Sequence, residues 1–367
     1  MQRISVPLLQ PGMVTARRIY SDNGRLIMNA ATTLTDTTIT KLRNMGIGSI
    51  YIQNPLFAEL EIPELVQEDT RIKMILALHS VISRFQRTQI LEIQPLKILL
   101  KQLVEEIVDN KNSMIHYLDM RVYGDYILGR SINVCILAAL TAINMGYNEE
   151  RLHDLALGVL LHDIGMTQIP QEIVTKAGSL TTEELAVVQT HTKIGFEVLR
   201  KLRLISTPAA HIAFQHHERI DGTGYPRRLK GEEIHEFARI TAVADVFDAM
   251  ISDRPYRKGM LPHEAYETLM TMAGTQLDRD IVNIFLANVA VYPVGTVVQL
   301  NSGEIAIVTS VFPKLQTRPG LSVLTDKTGV LLKDPKAISL TEHLTLFVYR
   351  VLKETEVFAL GEVVKSS

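Results

Sequence analysis

The chain has 367 residues, 46% of them hydrophobic and 21% charged, with a formal net charge of −2. Such a length supports two or three domains and a sizeable core. The near-neutral charge excludes the global basic field with which a chain adheres to DNA or to an anionic membrane. The one cysteine, Cys135, lies in the apolar run Val134-Cys135-Ile136-Leu137-Ala138, where it reads as a small buried hydrophobe. An internal disulfide framework is thereby excluded, and a reducing cytoplasm is the expected setting.

Met1-Gln2-Arg3-Ile4-Ser5-Val6-Pro7 shows no secretory apolar core, so no leader is expected. Residues 1–60 read as a small α+β domain. Met13 to Tyr20 suggests a strand, and Asp22-Asn23-Gly24 a hairpin turn before Arg25 to Met28. Asp36 can cap a helix from Thr38 to Asn44 that Gly46 closes, and Ile47 to Ile52 returns as a strand.

Residues 61–124 form a helical connector, because Leu65 to Phe85 and Leu96 to Val108 carry apolar residues three and four apart. The same stripes suit a homodimer interface or a signal-transmitting helix pair. Residues 125–290 are a string of helices. Ser131 to Asn148 lacks charge, but Asn133, Asn144 and Gly146 make it a buried helix rather than a membrane span. Thr181 and Glu184 form a capping box ahead of a helix from Leu185 to Leu202. Phe237 to Met250 and Pro262 to Met272 are further helices. Residues 291–367 turn β-branched or alternating from Gly295 to Leu300, Ile305 to Val311, Leu321 to Leu324, Gly329 to Leu332 and Thr345 to Tyr349, which predicts a small all-β domain.

The chemistry concentrates between Leu155 and Arg257. His162-Asp163 follows the apolar run Leu155 to Leu161 directly, and His191, His216-His217 and Asp245 come later. Imidazoles and carboxylates in apolar segments are costly unless paired, and a shared metal ion pairs them all. Without thiolate, the donor set suits Fe, Mn, Zn or Mg. Asp163 has two oxygens with which to bridge two ions. Two divalent ions about 3.5–4 Å apart polarise a phosphodiester for in-line attack.

In order and spacing, His162-Asp163-Ile164-Gly165, His191, His216-His217-Glu218-Arg219, Asp221-Gly222-Thr223-Gly224-Tyr225-Pro226 and Asp245-Val246-Phe247-Asp248-Ala249 resemble the HD-GYP branch of the HD superfamily. The resemblance implies an all-α HD-GYP core, flanked by the small N-terminal α+β and C-terminal all-β domains. It implies a metal-dependent phosphodiesterase of bacterial signalling that cleaves cyclic di-GMP to linear pGpG or GMP. By resemblance, His162, Asp163, His191, His216, His217 and Asp245 are metal ligands. Asp163 and Asp248 serve catalysis, Tyr225 lines the site's mouth, and Arg254 and Arg257 face the ligand phosphates. His211 reads as structural. His79, His116, His153, His235, His263 and His343 read as surface or packing residues, and Arg227, Arg228 and Lys230 as a solvated face.

Two positions depart from the family pattern. Arg130 stands where the family has its first histidine, and a guanidinium has no lone pair for a metal. Tyr126, one turn earlier, replaces the glutamate of three-metal members, which leaves one or two ions. Met166 replaces the lysine of the His-Asp-x-Gly-Lys pattern. Loss of such a contact in a dry site costs roughly 3–4 kcal/mol of transition-state stabilisation. Arg130 is expected to supply part of that positive charge toward the substrate. The alternative is a degenerate member that binds cyclic di-GMP or a protein partner without turnover.

Overall fold

The computed structural model describes all residues except 22–24, 58–59, 61–63, 112, 115–125, 177, 253–258 and 367, with backbone alone for 126–128 and 362–366. It divides into two compact units. One comprises Met1–Glu64, Met114–Asp119 and Val289–Ser367, and the other Leu65–Ser113 and Met120–Asn288.

The first unit opens with β1 (Gln2–Ser5), β2 (Ile19–Tyr20), β3 (Leu26–Met28), helix α1 (Asp36–Asn44) and β4 (Ser49–Ile52). Strands β1 and β4 pair antiparallel, Ile4 opposite Ile50, and β2 pairs with β3, Ile19 opposite Met28. The expected turn at Asp22-Asn23-Gly24 lies outside the described residues. Thr35, not Asp36, caps α1: its side chain accepts from the Thr38 backbone, which leaves Asp36 in the first turn. There its charge favours the positive end of the helix dipole. The long strand expected from Met13 to Tyr20 is reduced to isolated bridges at Val14 and Thr15 and the short β2.

The second unit is all helical: α2 (Glu68–Thr88), α3 (Gln94–Asp109), α4 (Tyr126–Asn144), α5 (Glu149–Leu160), α6 (Gln171–Val174), α7 (Thr182–Gln189), α8 (His191–Leu199), α9 (Thr207–Gln215), α10 (Glu236–Ile251), α11 (Pro262–Met272) and α12 (Arg279–Ala287). Every residue from Ser131 to Ala142 is buried, so α4 is the central helix, packed against α2, α3, α5, α10 and α12. Among the described residues no helix is long and apolar enough to cross a membrane. The apolar stripes of α2 and α3 pack on each other and on α4 and α5, within this unit. They bury Met74, Leu78 and Phe85 on α2 and Leu96, Leu100 and Leu103 on α3.

The helix expected from Leu185 to Leu202 is two helices. The chain breaks at Thr190, whose hydroxyl donates to the Val187 carbonyl at 2.6 Å, and α8 starts at His191. The predicted capping box at Thr181 and Glu184 is present on α7.

The first unit resumes with β5 (Val297–Leu300), β6 (Ile305–Ser310), β7 (Gly320–Thr325), β8 (Leu331–Ser339) and β9 (Val348–Val351), an antiparallel sheet in the order β8-β7-β6-β5-β9. Alternate residues serve two cores. Val298, Leu300, Ala306, Val308, Leu321 and Val323 face one; Val297, Ile307 and Leu324 face the other, with Phe57 from the N-terminal segment. A helix that the β pattern concealed, α13 (Glu354–Ser366), adds Val357 to that second core. The Ser5 hydroxyl donates to Glu354 at 2.6 Å. The two ends of the chain thus share one core.

One close approach in the helical unit positions the chemistry. A 3-10 turn, Ile164–Gln168, packs on the first turn of α8. At Gly165 a Cβ would collide with the His191 carbonyl oxygen and press on the Gly195 nitrogen, backbone atoms that cannot rotate away. Gly165→Ala is therefore expected to cost about 1–3 kcal/mol, read as urea-unfolding free energy. Gln168→Ala, at an exposed position three residues on, should stay within about 0.5 kcal/mol.

Candidate metal centre

Three histidines end or begin helices, and each is aimed by its own backbone. His162 follows α5, and its Nδ1 bonds the Val159 carbonyl at 2.7 Å. His191 opens α8, with Nδ1 on the Val188 carbonyl at 2.7 Å. His216 follows α9, with Nδ1 on the Ile212 carbonyl at 3.0 Å. A carbonyl oxygen only accepts, so each Nδ1 carries the proton. In the neutral ring, Nε2 is then a bare lone pair.

Those lone pairs converge on Asp163. His162 Nε2 lies 3.0 Å from Asp163 Oδ2; His191 and His216 Nε2 lie 3.4 and 3.6 Å from Oδ1. The Nε2 atoms of His191 and His216 face each other at 3.5 Å. The donor atoms of Asp163, His191, His216 and His217 all lie within 4.8 Å of one another. Ligands bound about 2.1 Å from a common ion stand about 3.0–3.4 Å apart, so much of this cluster already has metal-ligand spacing. Nearly all of it is dry: the side chains of His162, His191 and His216 are 0%, 2% and 0% exposed, and that of Asp163 is 15%.

Burial disfavours a charged His162, yet Asp163 and Asp245 beside it hold its imidazolium up, to about 10. Burial would raise Asp163 as well, but His162 and His216 keep it well below the usual carboxylate range. His191 goes the other way: burial pushes it down to about 4 against the pull of Asp163. Burial and His216 together push His217 well below its ordinary value. One proton on His162 thus supplies the positive charge that the carboxylates require. A divalent cation suits the same need and would displace that proton.

Arg130 enters from α4. Its Nη2 donates to Asp245 Oδ1 at 2.6 Å and to the Asp245 carbonyl at 3.3 Å, and its Nε lies 3.7 Å from Asp248 Oδ2. Asp245 is also 3.7 Å from His162 Nε2, so its carboxylate is shared between a guanidinium and an imidazole. Asp248, expected to serve catalysis directly, is 0% exposed. It faces Arg130 and accepts from Asn133 Nδ2 at 3.3 Å. Burial raises it to about 6, with Arg130 opposing and Asp245 adding to the rise. At that depth its neighbours are the Arg130 guanidinium and the Asn133 amide.

The Gly-Tyr-Pro loop holds Tyr225 over His217, ring centroids 4.7 Å apart and nearly parallel. The Tyr225 N–H donates to the His217 carbonyl at 3.2 Å. At Gly224 a Cβ would run into the backbone of Glu218 and Arg219, and Gly222 takes a left-handed φ of 82°. Glu218, 2% exposed, accepts from the backbone N–H of Arg227 at 2.7 Å and of Leu229 at 3.0 Å, and so pins the far end of the loop. Read from sequence, Glu218 belongs to the His216-His217-Glu218-Arg219 motif and Asn133 to the buried helix, and neither receives a role at the site. The adjacency of Glu218 to the His216-His217 pair was the available signal. Arg254 and Arg257 lie outside the described residues. Met166 lines a cavity together with Asp163.

The HD domain family model matches residues 102–281, and a KOW domain associated with the HD domain matches residues 297–360. A cyclic di-GMP phosphodiesterase of Thermotoga maritima is 32% identical over 297 residues, 77% of each chain. A cyclic di-GMP phosphodiesterase of Pseudomonas aeruginosa is 34% identical over 57% of this chain, which spans only 50% of that relative. A 3'3'-cGAMP-specific phosphodiesterase of Vibrio cholerae is 41% identical over 34% of this chain and 24% of its own length.

The histidine shifts set a pH signature in metal-free protein. His191 holds its proton less well folded, at about 4, than unfolded, at 6.5. Its contribution to stability is therefore full above 6.5 and drains as pH falls toward 4, by on the order of 3 kcal/mol. Asp248, raised to about 6, has the opposite sign over that window. It cancels when wild type is compared with His191→Gln. The difference in urea-unfolding free energy between the two chelator-treated proteins should shrink by that amount between pH 7 and pH 4.

Proposed function

The chain belongs to the HD-GYP branch of the HD superfamily, and on that premise we propose that it is a metal-dependent phosphodiesterase acting on cyclic di-GMP or a close cyclic dinucleotide, giving a linear product. The observation that carries the reading is the convergence of three Nε2 atoms on Asp163, each turned there by an Nδ1 bond to a carbonyl. Relatives named as cyclic di-GMP phosphodiesterases favour turnover over a binding-only role.

Asp163, His191, His216 and His217 would hold an ion, with His162 beside them. A divalent ion there supplies Lewis acidity toward a phosphoryl oxygen and lowers the pKa of a water. The chain's own residues do the rest. The carbonyl partners keep the imidazoles in one tautomer and orientation. The buried walls exclude bulk water. Tyr225, stacked on His217, closes one side of the site. By family resemblance Arg254 and Arg257 would take the ligand phosphates.

Arg130 limits the ion count. It bonds Asp245 at 2.6 Å and places a fixed positive charge where a second ion would need that carboxylate. A single ion is the proposed state. Its identity is left to Fe, Mn or a similar divalent metal. The single cysteine, buried at Cys135, fits a reducing cytoplasm.

Protein purified without chelator should carry about one equivalent of metal by elemental analysis. With Mn²⁺, or with Fe²⁺ under anaerobic conditions, it should convert cyclic di-GMP to a linear product resolved by chromatography. His191→Ala should lose both metal and turnover. Retained metal with no linear product would overturn the phosphodiesterase reading. Arg130→His exchanges a cation for a lone pair and frees Asp245, so bound metal should rise from about one to about two equivalents.

A further inference from the structure

A cavity of about 430 Å³ adjoins Asp163 in the helical unit. Such a volume lies within the range of small-molecule sites. One wall is built by α2, which supplies His79, Ser83 and Gln86. Helix α2 ends at Thr88, before the HD domain match begins at residue 102. The opposite wall is the segment after the His-Asp pair, with Ile164, Met166 and Thr167.

The lining limits the occupant. Among the described residues no lysine or arginine borders the cavity, and its one carboxylate is Asp163. A phosphate would find no counter-charge there. A flat heteroaromatic ring would find apolar surface, a thioether with which sulfur makes favourable ring contacts, and neutral donors and acceptors, those of α2 among them. His79 and Ser83 are half-buried and Gln86 is exposed, so these polar groups sit at the cavity's outer side. Asp163 belongs to both the cavity and the donor cluster. A diester at the cluster would therefore direct an attached base into this space.

We propose that the cavity is a nucleobase subsite whose α2 wall, His79 with Ser83 and Gln86, reads the edge of a purine belonging to a diester held at Asp163. The position of the diester rests on the phosphodiesterase reading; the base contacts do not require turnover. Helix α2 then sets base specificity from outside the HD module. The methionine that replaces the family lysine at Met166 becomes a contact surface for the ring.

Calorimetric titration of the full-length chain as purified, without chelator, with hydrolysis-resistant phosphorothioate analogues of cyclic di-GMP and of cyclic di-AMP tests this. Wild type is expected to bind cyclic di-GMP more tightly. His79→Ala and Gln86→Ala should each weaken cyclic di-GMP binding about three- to tenfold, the range of one lost hydrogen bond. Each should also bring the guanine-to-adenine affinity ratio closer to one, which general structural damage would not do. Gln86 is exposed, so its variant tests the idea without disturbing the core. Unchanged affinity in both variants, equal losses for both dinucleotides, or no dinucleotide binding by wild type would overturn the subsite. The Mn²⁺-loaded wild type is assayed separately on bis(p-nitrophenyl) phosphate, a diester without a nucleobase. Failure there together with failure to convert cyclic di-GMP would overturn the phosphodiesterase reading and leave the binding result standing.

Discussion

The gathering of three buried imidazole Nε2 atoms on one carboxylate, with the positive charge that it demands, is the constraint on which this molecule depends. Asp163 sits amid three imidazole Nε2 atoms in a nearly dry pocket, and carbonyl bonds at Nδ1 deny those rings the other tautomer. Such a cluster is unfavourable without positive charge at its centre. The helical scaffold supports it because the histidines stand at helix ends, where last-turn carbonyls such as those of Val159 and Ile212 accept from a ring N–H as well as from a backbone N–H. Secondary structure and chemistry share those carbonyls.

Arg130 changes the balance on one flank. A guanidinium on Asp245 satisfies that carboxylate permanently, and Asp248 and Asn133 stand behind as its support. Breaking such a buried network by removing one charge leaves the others exposed to a full desolvation penalty. On the proposed single-ion reading the arrangement stands in for a second cation. It gives the site a fixed positive charge that cannot exchange with solvent, where a bound ion would open a position to substrate.

The first unit shows how topology can hide from a linear reading. Its five-stranded sheet and N-terminal segment share the core around Phe57, Val297 and Leu324. Segments nearly 300 residues apart fold as one body. The exposed strand β8 carries Lys333, Asp334, Pro335 and Lys336 along its length, which discourages pairing with another chain.

Much of this was legible in the residues alone. Helical periodicity placed α2, α3, α10 and α11 closely, because an amphipathic stripe is a local signal. The His-Asp pair, the paired histidines and the Gly-Tyr-Pro loop marked the site, because few ordinary cores place so many imidazoles at ordered intervals. Other features were beyond a linear reading. The break at Thr190 that orients His191 turns on a local hydroxyl bond that helical periodicity does not show, while the collision that only Gly165 avoids, the depth of Asp248 and the grip of Arg130 on Asp245 depend on distant segments. The side chains of α2 gave no sign of a ligand, since His79 without neighbours is one more surface histidine. Sequence determined which groups exist and the local helices that carry them. Tertiary packing alone decided which lone pairs meet and which charge stands beside each carboxylate, because both depend on distances in space that spacing along a chain does not encode.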